Sequence, residues 1–246
     1  MHTLTYDVRG NLLDAIDQIW LHIASPGSWW TGAERVAIAQ SSRDAWECNH
    51  CSACKNALSP YSVNGTHDAS AMLPEVAVDA IHRITTDPGR LTETWYKGLL
   101  DRGLTSEQYV EIIGVVGHLT VADTFHRALG LDARQLPEPK EGEPTHDHSG
   151  NAVVDMAWVP TVSHKNATGA LAEEWFPGGK KGYVPHVAQS MTLLPAEAIS
   201  FKRNVMTQFY LKTGNINNVE APVGSLERPQ AEFLAARTSA LNECFY

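Results

Sequence analysis

Three cysteines fall within one short run, Trp46-Glu47-Cys48-Asn49-His50-Cys51-Ser52-Ala53-Cys54, and a fourth, Cys244, lies near the end of the sequence. The run contains two overlapping C-x-x-C spacings. On a helix, positions i and i+3 share one face, so two such thiols come within disulfide reach. A dithiol of this kind does two-electron chemistry: one thiolate attacks a peroxide or disulfide, and the other resolves the sulfenic acid or mixed disulfide. The attacking thiol needs a lowered pKa or a neighbouring base. His50, between two cysteines, is the candidate proton carrier, and Glu34 would orient or relay if its helix packs nearby. The same residue types allow other readings. Cys48, Cys51 and Cys54 with His50 or His67 make a zinc set by type, although i, i+3, i+6 spacing on one helix does not readily wrap three thiolates round one ion. An iron–sulfur cluster would need a fourth local cysteine. Free cysteine is also a common small buried hydrophobe.

The elements that must position these residues read as helices, and the fold class expected is all-α. Leu12, Leu13, Ile16, Ile19, Trp20 and Ile23 form one apolar stripe at helical spacing, broken at Pro26-Gly27. Thr31 with Glu34 is a capping-box signature that opens a second helix running towards the cysteines. Residues 58–70 are turn-rich. Pro74 then opens a helix whose buried face is Val76, Ala77, Ala80, Ile81 and Ile84, stopped at Asp87-Pro88-Gly89. A short helix over 91–100 follows. Thr105 with Gln108 opens the strongest helical pattern, which Gly130 ends. Residues 132–182 are rich in proline and glycine and read as a linker with little regular structure. Helical pattern resumes from Val184: Pro195 opens one helix, and after a Gly/Asn-rich break residues 226–246 read as the last.

The chain has 246 residues, which suits one large domain or two small ones of about 100–200. Hydrophobic residues at 43% and charged residues at 19% exclude a disordered chain. A net charge of −9 with no basic run makes nucleic acid a poor partner. No apolar stretch approaches membrane-spanning length, so no membrane partner is expected. Clustered cysteines in a chain whose first residues lack signal-peptide order suit a reducing cytoplasm.

Residues 33–39 resemble 231–236, and each segment leads on to a cysteine. The order Ala231-Glu232, a helical run, then Ser239-Ala240-Leu241-Asn242-Glu243-Cys244 resembles the carboxymuconolactone decarboxylase/alkylhydroperoxidase D-like superfamily. Its redox members place a Glu about twelve residues before C-x-x-C-x-x-x-H. The helix over 106–130 is similar to the long helix that follows that motif. Tyr183-Val184-Pro185-His186-Val187 with Leu193-Leu194-Pro195 is similar to the lead-in of the peroxidase-related branch.

The resemblance implies a helical, homo-oligomeric fold and a dithiol peroxidase, with Glu as proton acceptor, the second cysteine as attacker and the first as resolver. It implies a hydroperoxide substrate, a thiol or lipoyl-type reductant and no cofactor. Carried over, Glu232 is the acid/base and Cys244 the first cysteine. The second would be residue 247, with selenocysteine, encoded by UGA, as an expectation for that position. In the first copy Glu34 precedes Cys48 by 14 residues and no His follows the cysteines at the family's spacing. The expected organisation is a helical domain over 1–131, a linker over 132–182, and a partial second unit over 183–246. The expected catalytic set is Glu34, Cys48, His50, Cys51, Cys54, Glu232 and Cys244. The alternatives are a decarboxylase-like acid/base enzyme using Glu34, His50 and Trp46, and a non-catalytic, zinc-stabilised helical oligomer.

Overall fold

The structure is a computed structural model that describes residues 8–68, 72–176, 186–210, 220 and 222–242. It is predominantly helical: α1 Gly10–Ala24, α2 Gly32–Asp44, α3 Asn49–Asn56, α4 Glu75–Thr86, α5 Glu93–Asp101, α6 Ser106–Ala128, α7 Pro195–Phe201 and α8 Arg228–Leu241. Among the described residues, β pairing is confined to two isolated bridges, Val153 with Thr161 and Val223 with Leu226. The all-α expectation therefore holds. No described helix is long and apolar enough to cross a membrane.

Local signals set the helix starts. The Thr31 hydroxyl accepts from the Glu34 N–H at 3.3 Å, and the Glu34 carboxylate accepts from the Thr31 N–H at 2.8 Å. Two otherwise orphaned donors of α2 are thereby satisfied. Thr105 and Gln108 form the same reciprocal pair at the start of α6. Pro74 precedes α4, and α4 stops at Thr86, before Asp87-Pro88. α6 is central. Its Val110, Ile112, Val115, Leu119 and Ala122 are buried, and it packs against α1, α2, α4 and α7. α1 contributes Ile16, Ile19, Trp20 and Ile23, and α4 contributes Ala77, Val78 and Ile81, to the same core. Each such fully buried aliphatic side chain contributes about 1.5–3 kcal/mol.

The described residues 132–176 carry no α-helix, yet they do not behave as a free linker. The segment is tied along its length: Lys140 N–H donates to the Ala24 carbonyl at 2.8 Å, His146 N–H to Ser28 at 2.8 Å, and Ser149 N–H to Leu193 at 2.8 Å. Val162, Leu171, Trp175 and Phe176 enter the same core as α1 to α6. Leu193, Leu194, Ala198 and Val205, from the expected second unit, enter it too. Proline and glycine signal the lack of helix here. They do not signal the lack of packing, because apolar side chains between them still gain from burial. α8 is peripheral: it buries Arg228 and Ala231 and leaves Phe233, Leu234 and Leu241 exposed. Cys244 and the end of the chain lie outside the described residues.

Candidate functional site

A tight turn after α2 delivers Cys48 to the position just before α3, so Cys48 and Cys51 bracket the first turn of that helix. The unpaired N–H groups of a first turn favour negative charge, so thiolates gain there. Both thiols are free and nearly fully buried, 2% and 3% exposed. Opposite them stand two imidazoles. His67, on the connection between α3 and α4, brings Nδ1 to 3.3 Å from the Cys51 sulfur and 3.8 Å from the Cys48 sulfur. His82, on the buried face of α4, brings its own Nδ1 to 3.3 Å from the Cys51 sulfur. The two rings meet edge to face, with centroids 4.7 Å apart. The four donor atoms all lie within 4.8 Å of one another.

Neighbouring groups fix this cluster. Asp79, one helical turn before His82 on α4, lies 3.4 Å from His67 Nε2 and also accepts from Arg102. Arg90 holds the end of α3 by donating to the Ala57 carbonyl at 2.8 Å and the Cys54 carbonyl at 3.0 Å. The connection passes close over His50 at Gly65, whose φ is +148°. A Cβ there would lie 2.7 Å from His50 Nδ1, so both the backbone angle and the space call for glycine.

The electrostatics follow from these contacts. Burial alone would raise the Cys48 pKa. The N–H groups of Asp68 and Cys51 and the His67 ring outweigh it and lower the pKa. Burial alone would lower that of His67, but bonds to Asp79, Cys51 and Cys48 raise it to about 10. His82 is pushed down to about 4, first by burial and then by repulsion from His67, which leaves it a neutral imidazole. Burial raises the Cys54 thiol.

The expected site residues divide accordingly. Cys48 and Cys51 come together. Cys54 turns elsewhere, with its sulfur 3.6 Å from His50 Nε2 and 3.7 Å from the Pro60 carbonyl. His50 therefore faces Cys54, and it touches the main cluster through its ring against His67 at 4.7 Å. Glu34 is corrected outright. Its carboxylate caps α2 at Thr31, while the cysteines follow the other end of that 13-residue helix, about 20 Å away along its axis. The Glu34, His50 and Trp46 acid/base set is consequently not assembled. Glu232 is bound to Arg228 on its own helix and to the Tyr210 hydroxyl, whose bond lowers its pKa. Cys244 lies outside the described residues. Of the residues named from the sequence for zinc, Cys48, Cys51 and His67 come together and are joined by His82 in a group that could hold a metal ion, whereas Cys54 and His50 lie outside it.

A second polar cluster was not foreseen. Arg35, fully buried on α2, donates to Glu111 of α6 at 2.5 Å and to Glu197 of α7 at 2.7 Å. Glu111 also accepts from the N–H groups of Ser28 and Trp29. Glu197 lies 2.8 Å from His22 Nε2. Burial would raise Glu197, but Arg35 and His22 hold it below the ordinary carboxylate range. Gly114 makes room: a Cβ there would fall 2.2 Å from the Glu197 carboxylate. His118 stacks on His22, with centroids 4.5 Å apart, and its two nitrogens meet the Gly114 carbonyl at 2.7 Å and the Ser200 hydroxyl at 3.0 Å.

No family model, curated protein or solved structure matches this chain. What the chain does is thus carried by its own residues.

His118 supplies a stability prediction. Burial first, then the neighbouring His22, lowers its pKa to about 3, with Glu197 and Arg35 also facing it. Below about pH 6.5 the unfolded chain takes up a proton that the folded one refuses. The stability from this group is complete above that pH and is lost as the pH falls towards 3. Relative to a His118→Asn variant, the wild type is expected to lose about 2 kcal/mol between pH 6.5 and pH 5. Denaturant unfolding at both pH values measures this, and equal losses in the two proteins would refute it.

Proposed function

We propose that the protein is a thiol-dependent oxidoreductase whose Cys48–Cys51 dithiol reduces hydroperoxides and is regenerated by a thiol or lipoyl-type reductant. The observation that supports this most is that one imidazole nitrogen, His67 Nδ1, faces both sulfurs at the start of α3. Cys51, between two imidazoles, is the attacker. Its thiolate attacks the terminal peroxide oxygen, so the S–O bond forms as the O–O bond breaks, giving Cys51 sulfenic acid and an alkoxide, which takes a proton to leave as the alcohol. Cys48 then attacks the sulfenic sulfur, forming the disulfide and releasing water. The balance is one hydroperoxide and two thiols to one disulfide, one alcohol and one water. A reductant restores the thiols by exchange.

The resemblance to the alkylhydroperoxidase D-like superfamily supports the same chemistry, with one substitution of parts. Glu34 does not act as the family's Glu at this site, since it is committed to a helix cap, and the His67–Asp79 pair stands where a proton relay is needed. Because both sulfurs are 2–3% exposed, small hydroperoxides are the expected substrates and bulky ones are not. Hydroperoxide turnover in the presence of a small dithiol tests the reading. Activity that survives removal of either Cys48 or Cys51 would end it.

A further inference from the structure

We infer that Cys48, Cys51, His67 and His82 form a tetrahedral Cys2His2 site for a zinc ion. The inference goes beyond the dithiol reading. It shares two thiols with that reading but does not require them to turn over.

The first support is metric. With Zn–S near 2.3 Å and Zn–N near 2.0–2.1 Å, a tetrahedron has S···N edges of about 3.5–3.6 Å. Three of the four S···N separations are 3.3, 3.3 and 3.8 Å, and no pair among the four donors exceeds 4.8 Å. The donors converge from three places: the start of α3, the α3–α4 connection and α4. They therefore wrap a common centre in a way that thiolates on one helix face do not.

The second support is the outer shell. Asp79 lies against His67 Nε2, which leaves Nδ1 as the nitrogen that faces the two sulfurs. A carboxylate behind a metal-binding histidine fixes the ring in this way. The third is charge. Two thiolates, two neutral imidazoles and Zn²⁺ sum to zero, which suits residues buried this deeply. A sulfur-and-nitrogen tetrahedron selects zinc over magnesium or calcium, which take oxygen ligands. With four protein ligands the site is closed, as in zinc sites that hold a fold together. Zinc here would lock the α3–α4 connection onto α3 and α4. Cys54 and His50 pair with each other outside the site.

The test uses the full chain, reduced and stripped with a chelator, then titrated with Zn²⁺ against a chromophoric competitor and, separately, with Co²⁺. The expected result is one zinc per chain, and a cobalt form with strong tetrahedral d–d absorption and a sulfur-to-cobalt charge-transfer band. Asp79→Ala should weaken zinc binding by about 10–100-fold. His82→Ala should weaken it further, and Cys54→Ser should leave it unchanged. The wild-type cobalt spectrum decides the matter even if a variant fails to fold: an octahedral spectrum without the sulfur band overturns the site. Zinc binding that His67→Ala and His82→Ala both leave intact overturns it too. A chain that forms the Cys48–Cys51 disulfide yet binds no zinc when reduced refutes the metal site alone. One that binds zinc through all four ligands but never forms the disulfide upholds the metal site and refutes the dithiol reading.

Discussion

An Arg35→Met variant is expected to be destabilised by about 3–5 kcal/mol, because removing one partner of a buried ion pair strands the other. Two carboxylates are stranded here. Glu111 and Glu197 are respectively 0% and 1% exposed, and both point at one guanidinium. Burial raises the Glu111 pKa, and repulsion from Glu197 raises it further against the pull of Arg35. Without Arg35 this repulsion is uncompensated, and His22 reaches Glu197 but makes no ion pair with Glu111. The cluster joins α1, α2, α6 and α7, so the loss is global rather than local. Adding Glu111→Gln and Glu197→Gln to Arg35→Met should recover part of the loss, since neutral amides cost far less to bury than ions. Denaturant unfolding of the three proteins measures both effects. A loss below about 1 kcal/mol for Arg35→Met would mean that the cluster is not held as described.

Replacing Cys51 by serine is expected to lower hydroperoxide turnover at least about 100-fold, the scale on which removing a nucleophile acts. Cys51 is the one sulfur in contact with both imidazoles, and no other described thiol can take its place beside His67 and His82. Cys48→Ser should also stop turnover, by a different route: the sulfenic acid forms on Cys51 but finds no resolving thiol, so one equivalent of peroxide is consumed and the cycle halts. Cys54→Ser should leave turnover close to wild type, since Cys54 faces His50 and the Pro60 carbonyl. The reverse pattern, with Cys54 required and Cys51 dispensable, would move the chemistry to the Cys54–His50 pair.

The fold was legible where local rules govern. The two capping boxes, the Pro74 start and the Asp87-Pro88 stop are signals within a few residues, and each helix begins or ends where they say. Packing of residues 132–176 was not legible, because proline and glycine report backbone conformation and not which side chains are buried. Half of the site was visible too. The C-x-x-C run announces Cys48 and Cys51, and their spacing puts them on one helix face, while the helix start that they bracket comes from the structure. His67 was named for its type alone. His82 carries no local signal: a histidine one residue after Ile81 on an apolar face reads as packing until tertiary contact brings it 31 positions back to Cys51. Glu34 misled for the opposite reason. It fits both a cap and a relay, and the nearer partner, Thr31, claims it. Arg35, Glu111 and His118 left a fainter trace, as charged or polar residues interrupting buried helix faces.

Whether Cys48 and Cys51 act as one dithiol is read by mapping the oxidised cysteines. The reduced, chelator-treated chain is given a stoichiometric amount of hydroperoxide. Its remaining thiols are alkylated, and the digested peptides are read by mass spectrometry. The expected product is a Cys48–Cys51 disulfide with Cys54 alkylated. Peroxide consumed while Cys48 and Cys51 both stay alkylatable, or a bridge that includes Cys54, would contradict it.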